Sequence, residues 1–547
     1  MNTKILLLLI TISYCSMFSI HANNVQVTNI SQTNVDADNH RIEFELTWEN
    51  SWRKDSEEPY NYDGVWIFVK YRDCLEKASG NPGDYKHCWL STTESDHNLT
   101  NTSVGGISMG LELDVGLTNI DGTDRGMGIF LYQPAGTRVG TVSADVSLLW
   151  KSGDHSPAEN TAINSYDIQV FAIEMVYMPT DSFYLGDGVS YYCLRNGNDN
   201  NKPMHINSNS MNLRCGGGLN AILYTDGTSG NGDIDNNWPN GFDAFWVMKY
   251  EISQEQYVGF LNTLSRSKQN NRIATAVTTA TSTVANVYIM SNSNTRLYRN
   301  AIVCEPTIPT GNEPIEFKMD YNMNRTYNEN GDGHNIACNY LSAFDLLAYL
   351  DWAGLRPITE FEFEKTCRGP HQKSFGYTYQ KSWGNTDIAE VTGITNPGQP
   401  TEIATNSGNG ICVYNSNTSV QGPLRCGFAA TATSNKYTSG ASYYGVYETM
   451  GNLYEGCMSM IYSYDRTENF EGRSGDGLLN LNANADQEGW PQGITGEDAA
   501  TYYIYYRGGG WDYTNADYIS ISTRFNYSTT NARNNSYGGR GGRYVSK

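Results

Sequence analysis

The sequence predicts a multidomain protein behind an export signal: an N-terminal all-β sandwich, then an α+β domain with little regular structure. Three observations predict it. Residues 23 to 173 alternate apolar and polar between turn-forming clusters, the pattern of half-buried strands. Helix starts with capping residues recur between residues 253 and 368. Beyond about residue 370 helical periodicity fades, and Gly, Asn, Ser and aromatic residues dominate. At 547 residues, 39% hydrophobic and 17% charged, the chain is folded and too long for a single core.

The chain opens with Lys4 and the apolar run Ile5 to Ile12, with a cleavage point after Ala22. The run is too short to span a bilayer and reads as the core of a signal peptide. Cys15 raises a lipoprotein alternative, but Tyr14 is a poor fit to the small residue expected before such a cysteine. Residues 1–22 are therefore read as a signal peptide, and the protein as exported: secreted, periplasmic or cell-surface. Residues 23–173 form the sandwich. Arg41–Trp48 and Val65–Tyr71 are two of its strands, and Ile168–Ile173 closes the set, with Gly, Asn, Asp and Ser clusters between strands. A spacer or docking role suits this module better than catalysis.

Residues 174–547 form the second domain. Met175–Pro179 leads into a long insertion rich in Asn and Gly, up to Gly241, and Phe245–Glu251 reads as a strand feeding a helix. Ser253 and Gln256 make a capping box ahead of the apolar face of Tyr257, Phe260 and Leu261. Ser342 and Asp345 precede Leu346, Leu347, Leu350 and Trp352 in a buried-helix pattern. Thr359 and Glu362 open a third helix, ended by Gly369-Pro370. On that helix Glu360, Glu362 and Glu364 read as solvated or structural, while Arg356 and Arg368 brace its ends. Asp351 and Trp352 belong to helix packing.

Of the 11 cysteines, all but Cys15 lie beyond the signal. An even number in an exported chain points to disulfides, with Cys74–Cys88, Cys193–Cys215 and Cys412–Cys426 as close-spaced partners. Connectivity does not follow from spacing. The absence of a CxxC pair and the scatter of the eight His argue against structural zinc. A net charge of −21 argues against nucleic acid and against anionic membrane surfaces. The expected partner is a protein or glycan at a cell surface, with no membrane insertion after signal cleavage.

Five segments in order carry a family resemblance: Met175–Pro179, Lys249–Ser253, Leu355–Gly369, Tyr444–Glu455 and Arg507–Trp511. Together they resemble the formylglycine-generating enzyme, or sulfatase-modifying factor, family over roughly residues 174 to 547. The resemblance implies a variant of the C-type lectin fold. It also implies an oxidase that converts a sulfatase cysteine to formylglycine with copper held by two cysteines. The positions of those cysteines fall near Tyr513 and Tyr518, Gly510 stands where the motif has Ser, and no Cys follows Cys457. A phenol does not replace the thiolate that Cu(I) requires, so no catalytic residue carries over, and copper is not expected. The resemblance further implies a calcium site, with carboxylates of Glu448 and Glu455 and carbonyls of Gly451 and Leu453 as hard oxygen ligands. The loop Asn415 to Arg425 is a looser second location.

The last segment, Asp512 to Ser546, contains no Lys, Glu, His or Cys, and Asn, Tyr, Ser and Thr fill more than half of it. Tyr supplies rigid contact area and Ser, Asn and Gly supply adaptable hydrogen bonds, the composition of a recognition surface. It resembles the variable region of proteins diversified by retroelements, which also use the C-type lectin fold. The candidate ligand contacts are Tyr513, Asn515, Tyr518, Ser520, Ser522, Phe525, Asn526, Tyr527, Asn531, Asn534 and Tyr537. The expected function is non-catalytic ligand binding. A formylglycine-generating oxidase and a structural cell-surface component are the alternatives.

Overall fold

The computed structural model describes residues 24–74, 82–155, 166–224, 232–275, 286–309, 311–370, 378–415, 420–460, 470–490, 504–524, 526–527 and 532–545. The expected signal peptide lies outside them. The N-terminal region is β-rich, built from antiparallel strands. His40–Arg53 pairs with Gln26–Asn34 on one side and with Arg138–Trp150 on the other, and Asn98–Val104 and Ile107–Ser108 extend that sheet to five strands. Their inward residues, among them Ile42, Phe44, Leu46 and Trp48, meet Val65, Ile67, Val69 and Tyr71 of strand Asp63–Asp73 in one core.

Strand Asp63–Asp73 belongs to a second sheet of eight strands, which runs on into the C-terminal part of the chain. Its neighbour Tyr166–Met178 pairs with it from Tyr166↔Asp73 to Val176↔Asp63. The far end of the same strand, Met175–Met178, pairs with Phe245–Met248, which pairs in turn with Gly541–Tyr544. Both faces of these central strands are covered. Trp66 and Phe68 point away from the N-terminal core and pack with Phe171, Trp246, Phe260 and Trp352. Val65–Tyr71, expected as a half-buried alternating strand, is instead buried on both faces, which suits its nearly unbroken apolar run.

Helix content is low. Helices Gln254–Asn262, Ala343–Trp352 and Glu360–Arg368 each begin with a capping box, from Ser253–Gln256, Ser342–Asp345 and Thr359–Glu362. A one-turn helix spans Arg266–Gln269, and among the described residues no helix is long and apolar enough to cross a membrane. Gly369 closes the third capped helix at φ 74°, a conformation that favours glycine.

Two expectations are corrected here. None of the ten described cysteines forms a disulfide, so the expected pairings do not occur. Nine of them are buried, where a free cysteine packs as a small apolar side chain. Of the two roles expected for the acidic residues of helix Glu360–Arg368, solvated or structural, only the structural one holds: Glu360, Glu362 and Glu364 are all buried and ion-paired. Glu362 takes Arg356 through both carboxylate oxygens at 2.6 and 2.8 Å. Glu360 and Glu364, one turn apart, face Arg507 at 3.0 and 2.7 Å.

Candidate functional site

The site is assembled around the turn that follows strand Ile504–Arg507. Arg507 is fully buried, and besides the two glutamates it donates to the Ile521 carbonyl at 2.6 Å. Gly508 and Gly509 then turn the chain at φ 81° and 83°. Trp511 ends the turn by donating its indole N–H to the Asn535 carbonyl at 2.9 Å, with its ring 5.2 Å from that of Tyr298. Asn515 caps the short 3-10 helix Ala516–Tyr518, its side chain accepting from the Asp517 amide at 3.0 Å.

Buried cations hold this segment from below. The Lys381 ammonium donates to the Ala516 and Ile519 carbonyls, and its desolvation pulls its pKa down to about 8. Arg368 donates to Ser522 Oγ at 2.6 Å, and Arg524 takes Glu360 through Nε and Nη2. These contacts leave a half-buried group of tyrosines above. Tyr518 has ring centroids of Tyr191, Tyr513 and Tyr379 at 5.0, 5.9 and 6.2 Å, and Tyr192 lies edge-on to Tyr191 at 4.0 Å. Aromatic pairs at such separations are favourable beyond the area they bury.

The sequence-derived contacts divide by burial. Asn515 and Asn534 are exposed, and Tyr513, Tyr518 and Tyr537 are half-buried. Ser520 and Ser522 are buried, their hydroxyls engaged with Thr523 and with Arg368 and Glu364. Asn526 and Tyr527 form a two-residue strand on Tyr505 and Tyr506. Phe525 and Asn531 lie outside the described residues. Sequence reasoning missed Tyr191, Tyr192 and Tyr379, which tertiary folding brings to Tyr518. The only local sign is the pair Tyr191-Tyr192 within the Asn- and Gly-rich insertion.

The donors do not fit copper. Where the resemblance implies thiolates stand the phenols of Tyr513 and Tyr518, and burial with neighbouring phenols pushes Tyr513 up to about 12. The nearest cysteine in the tyrosine cluster's chain segments, Cys193, is fully buried, and burial with Asp187 beside it pushes its thiol well up. A protonated, enclosed thiol is a poor ligand.

The calcium set fits only in part. Glu455 has both carboxylate oxygens on Arg540. Glu448 accepts the Gly427 amide at 3.0 Å through one oxygen, while its other oxygen is buried without a partner. The Leu453 amide donates to Glu251 at 3.0 Å, and the Gly451 amide to the Gly508 carbonyl at 2.9 Å. A cation at Glu455 would have to displace the guanidinium, while Glu448 keeps one carboxylate oxygen unengaged. Elsewhere, Asp351, Asp476 and Asp486 bring carboxylate oxygens within 4.8 Å of one another. Asp351 there accepts the amides of Asp476 and Asp486 at 3.0 Å each, the work of a loop anchor.

A family model described as sulfatase-modifying factor enzyme 1-like domain matches residues 222–541, more than half of the chain. No curated protein matches.

Proposed function

Because the chain belongs to the sulfatase-modifying factor enzyme 1-like family over residues 222–541, we propose that it is an exported, non-catalytic binding protein. In this reading a C-type-lectin-like domain presents its C-terminal segment to a protein or glycan at a cell surface. The N-terminal sandwich serves as a spacer or docking module. One observation carries the proposal: Tyr513 and Tyr518, near which the resemblance puts the family's copper cysteines, share a half-exposed ring cluster with Tyr191 and Tyr379.

Tyrosine gives large rigid contact area at little cost in rotamer entropy, and it is over-represented among residues that dominate binding energy. The support beneath it also favours binding. Lys381 and Arg507 hold loop carbonyls, and the Arg368–Ser522 and Arg524–Glu360 contacts tie inward loop side chains to the third capped helix, so exposed side chains can vary while the loop path stays set. That is the property a diversified surface needs.

Sequencing the codons for Asp512 to Ser546 across one cultured population tests the diversified form. Variation concentrated at the exposed and half-buried positions Tyr513, Asn515, Tyr518, Asn534 and Tyr537, with Arg507–Trp511 fixed, is the expected result. The oxidase alternative is tested by oxygen uptake on a Cys-x-Pro-x-Arg peptide with added copper. No uptake is expected, and copper-dependent turnover would overturn the non-catalytic reading.

A further inference from the structure

The Asn- and Gly-rich insertion builds a second groove, away from the tyrosine cluster. It holds about 990 Å³ and is lined in part by Asn209, Asn236, Asn237, Trp238, Arg473 and Tyr544. That volume is at the upper end of the roughly 300–1,000 Å³ usual for small-molecule sites. Tyr191, Tyr379, Tyr513 and Tyr518 are not among its walls.

The groove is a built structure and not a gap between loops. Buried polar side chains of the third capped helix tie down its floor. The Lys365 ammonium gathers the carbonyls of Pro179, Gly241 and Phe242 at 2.7, 2.7 and 3.1 Å. Thr359 Oγ1 donates to the Pro239 carbonyl at 2.9 Å. The Asn240 amide bridges the Ser208 carbonyl and the Phe242 amide at 2.9 Å each, and Asn209 donates to the Asp243 carboxylate at 3.0 and 3.3 Å. A lining fixed in advance lowers the ordering cost of binding.

The charges in the wall are only partly balanced: Asp243 is held by the Asn209 amide and by no cation among the described residues. Arg473 sits between Glu471 at 2.9 Å and Glu488 at 2.8 Å, and Glu362 is taken by Arg356. What remains toward the groove is a set of amides, the Asp243 carboxylate and two aromatic side chains. Trp238 is anchored edge-on against Phe470 and Phe361, with centroids at 6.0 and 6.4 Å. Tyr544 stacks on the Arg356 guanidinium at 4.4 Å.

We propose that this groove binds a neutral oligosaccharide. Each sugar hydroxyl both donates and accepts, and a carboxamide offers two donors and an acceptor to meet it. The C–H faces of a pyranose are apolar and suit aromatic walls. A phosphate ester would face Asp243 and Glu471, with Arg473 already held between two glutamates, whereas sugar hydroxyls can donate to those carboxylates as they do to the carboxamides. The proposal is independent of the tyrosine surface and stands or falls without it.

Calorimetric titration of the full chain with cellotetraose, chitotetraose, mannotetraose and maltotetraose tests it. Binding of at least one is expected. The paired substitution Asn236→Ala with Asn237→Ala, at two exposed positions, is expected to weaken it about tenfold, the loss of one or two net hydrogen bonds. Arg473→Ala is expected to weaken it as well, and Tyr513→Ala with Tyr518→Ala to leave it unchanged. Matching thermal midpoints establish that the variants fold. Binding of none of the four sugars overturns the proposal, as does binding that survives the groove variants or is abolished by the tyrosine pair.

Discussion

Arg540 lies among three buried carboxylates, with Arg425 adding a weaker positive field at Glu448. It closes on both oxygens of Glu455 and also donates to the carbonyls of Met248, Lys249 and Tyr447. Glu251 and Glu448 share its field, and burial with this shortage of positive charge pushes Glu448 up to about 7 and Glu251 well above the carboxylate range. Glu448 thus holds its proton more tightly when folded than at its ordinary value of 4.5. Its contribution to stability is full below pH 4.5 and is lost as pH rises through about 7. Urea titrations of the wild type and of Glu448→Gln at steps across that window should show the wild type losing stability relative to the variant. Parallel slopes for the two proteins would refute this. Arg540→Met leaves Glu455 buried and unpaired, and the expected cost is about 3–5 kcal/mol by chemical denaturation.

Between elements, the turn Gly508–Gly510 sets how the C-terminal segment leaves its strand. Gly508 has φ 81°, and a Cβ built there would lie 2.5 Å from the Thr449 carbonyl oxygen. Gly508→Ala therefore combines a left-handed backbone with a backbone clash, and it should destabilise the protein by about 1–3 kcal/mol. Equilibrium unfolding checks the cost; an unchanged midpoint would mean the turn relaxes freely. What could be read from the sequence here was local. The three capping boxes were legible because Ser or Thr and its partner stand three residues apart. The pairing of Glu360 and Glu364 with Arg507 and Arg524 was not, because those arginines lie more than a hundred residues downstream, although Glu364 also meets Arg368 one turn on at 3.0 Å. The same limit explains the disulfide reading and the missed Tyr191 and Tyr379: closeness along a chain is a weak guide to closeness in space. The composition of Asp512–Ser546 did flag the segment, yet it could not tell the inward Ser520 and Ser522 from the outward Asn515.

Across the whole molecule, the composition changes near residue 174, but the backbone there is the middle of strand Tyr166–Met178. One face of that strand serves the N-terminal core through Ile168, Val170 and Ala172, and the other serves the helices through Phe171, Ile173 and Met175. Polar contacts cross the same seam. Lys249 is buried between Asp63 at 3.0 Å and Glu174 at 2.8 Å, Trp66 donates to the Ala353 carbonyl at 2.9 Å, and Lys70 donates to the Gly477 carbonyl at 2.8 Å. A chain starting at Tyr166 would keep the strand but lose its partner Asp63–Asp73, exposing a central edge. It would also remove Trp66, Phe68 and Phe130 from the aromatic core. Fully burying each such side chain is worth about 1.5–3 kcal/mol, so the loss rivals the 5–15 kcal/mol net stability of a typical protein. Residues 166–547 alone should therefore lack a cooperative thermal transition and be cut rapidly by protease, whereas the full chain should melt as a unit. A cooperative melt of the fragment with the near-ultraviolet dichroism of the full chain would refute this. The N-terminal strands would then be an appendage to the family domain and not part of what folds it.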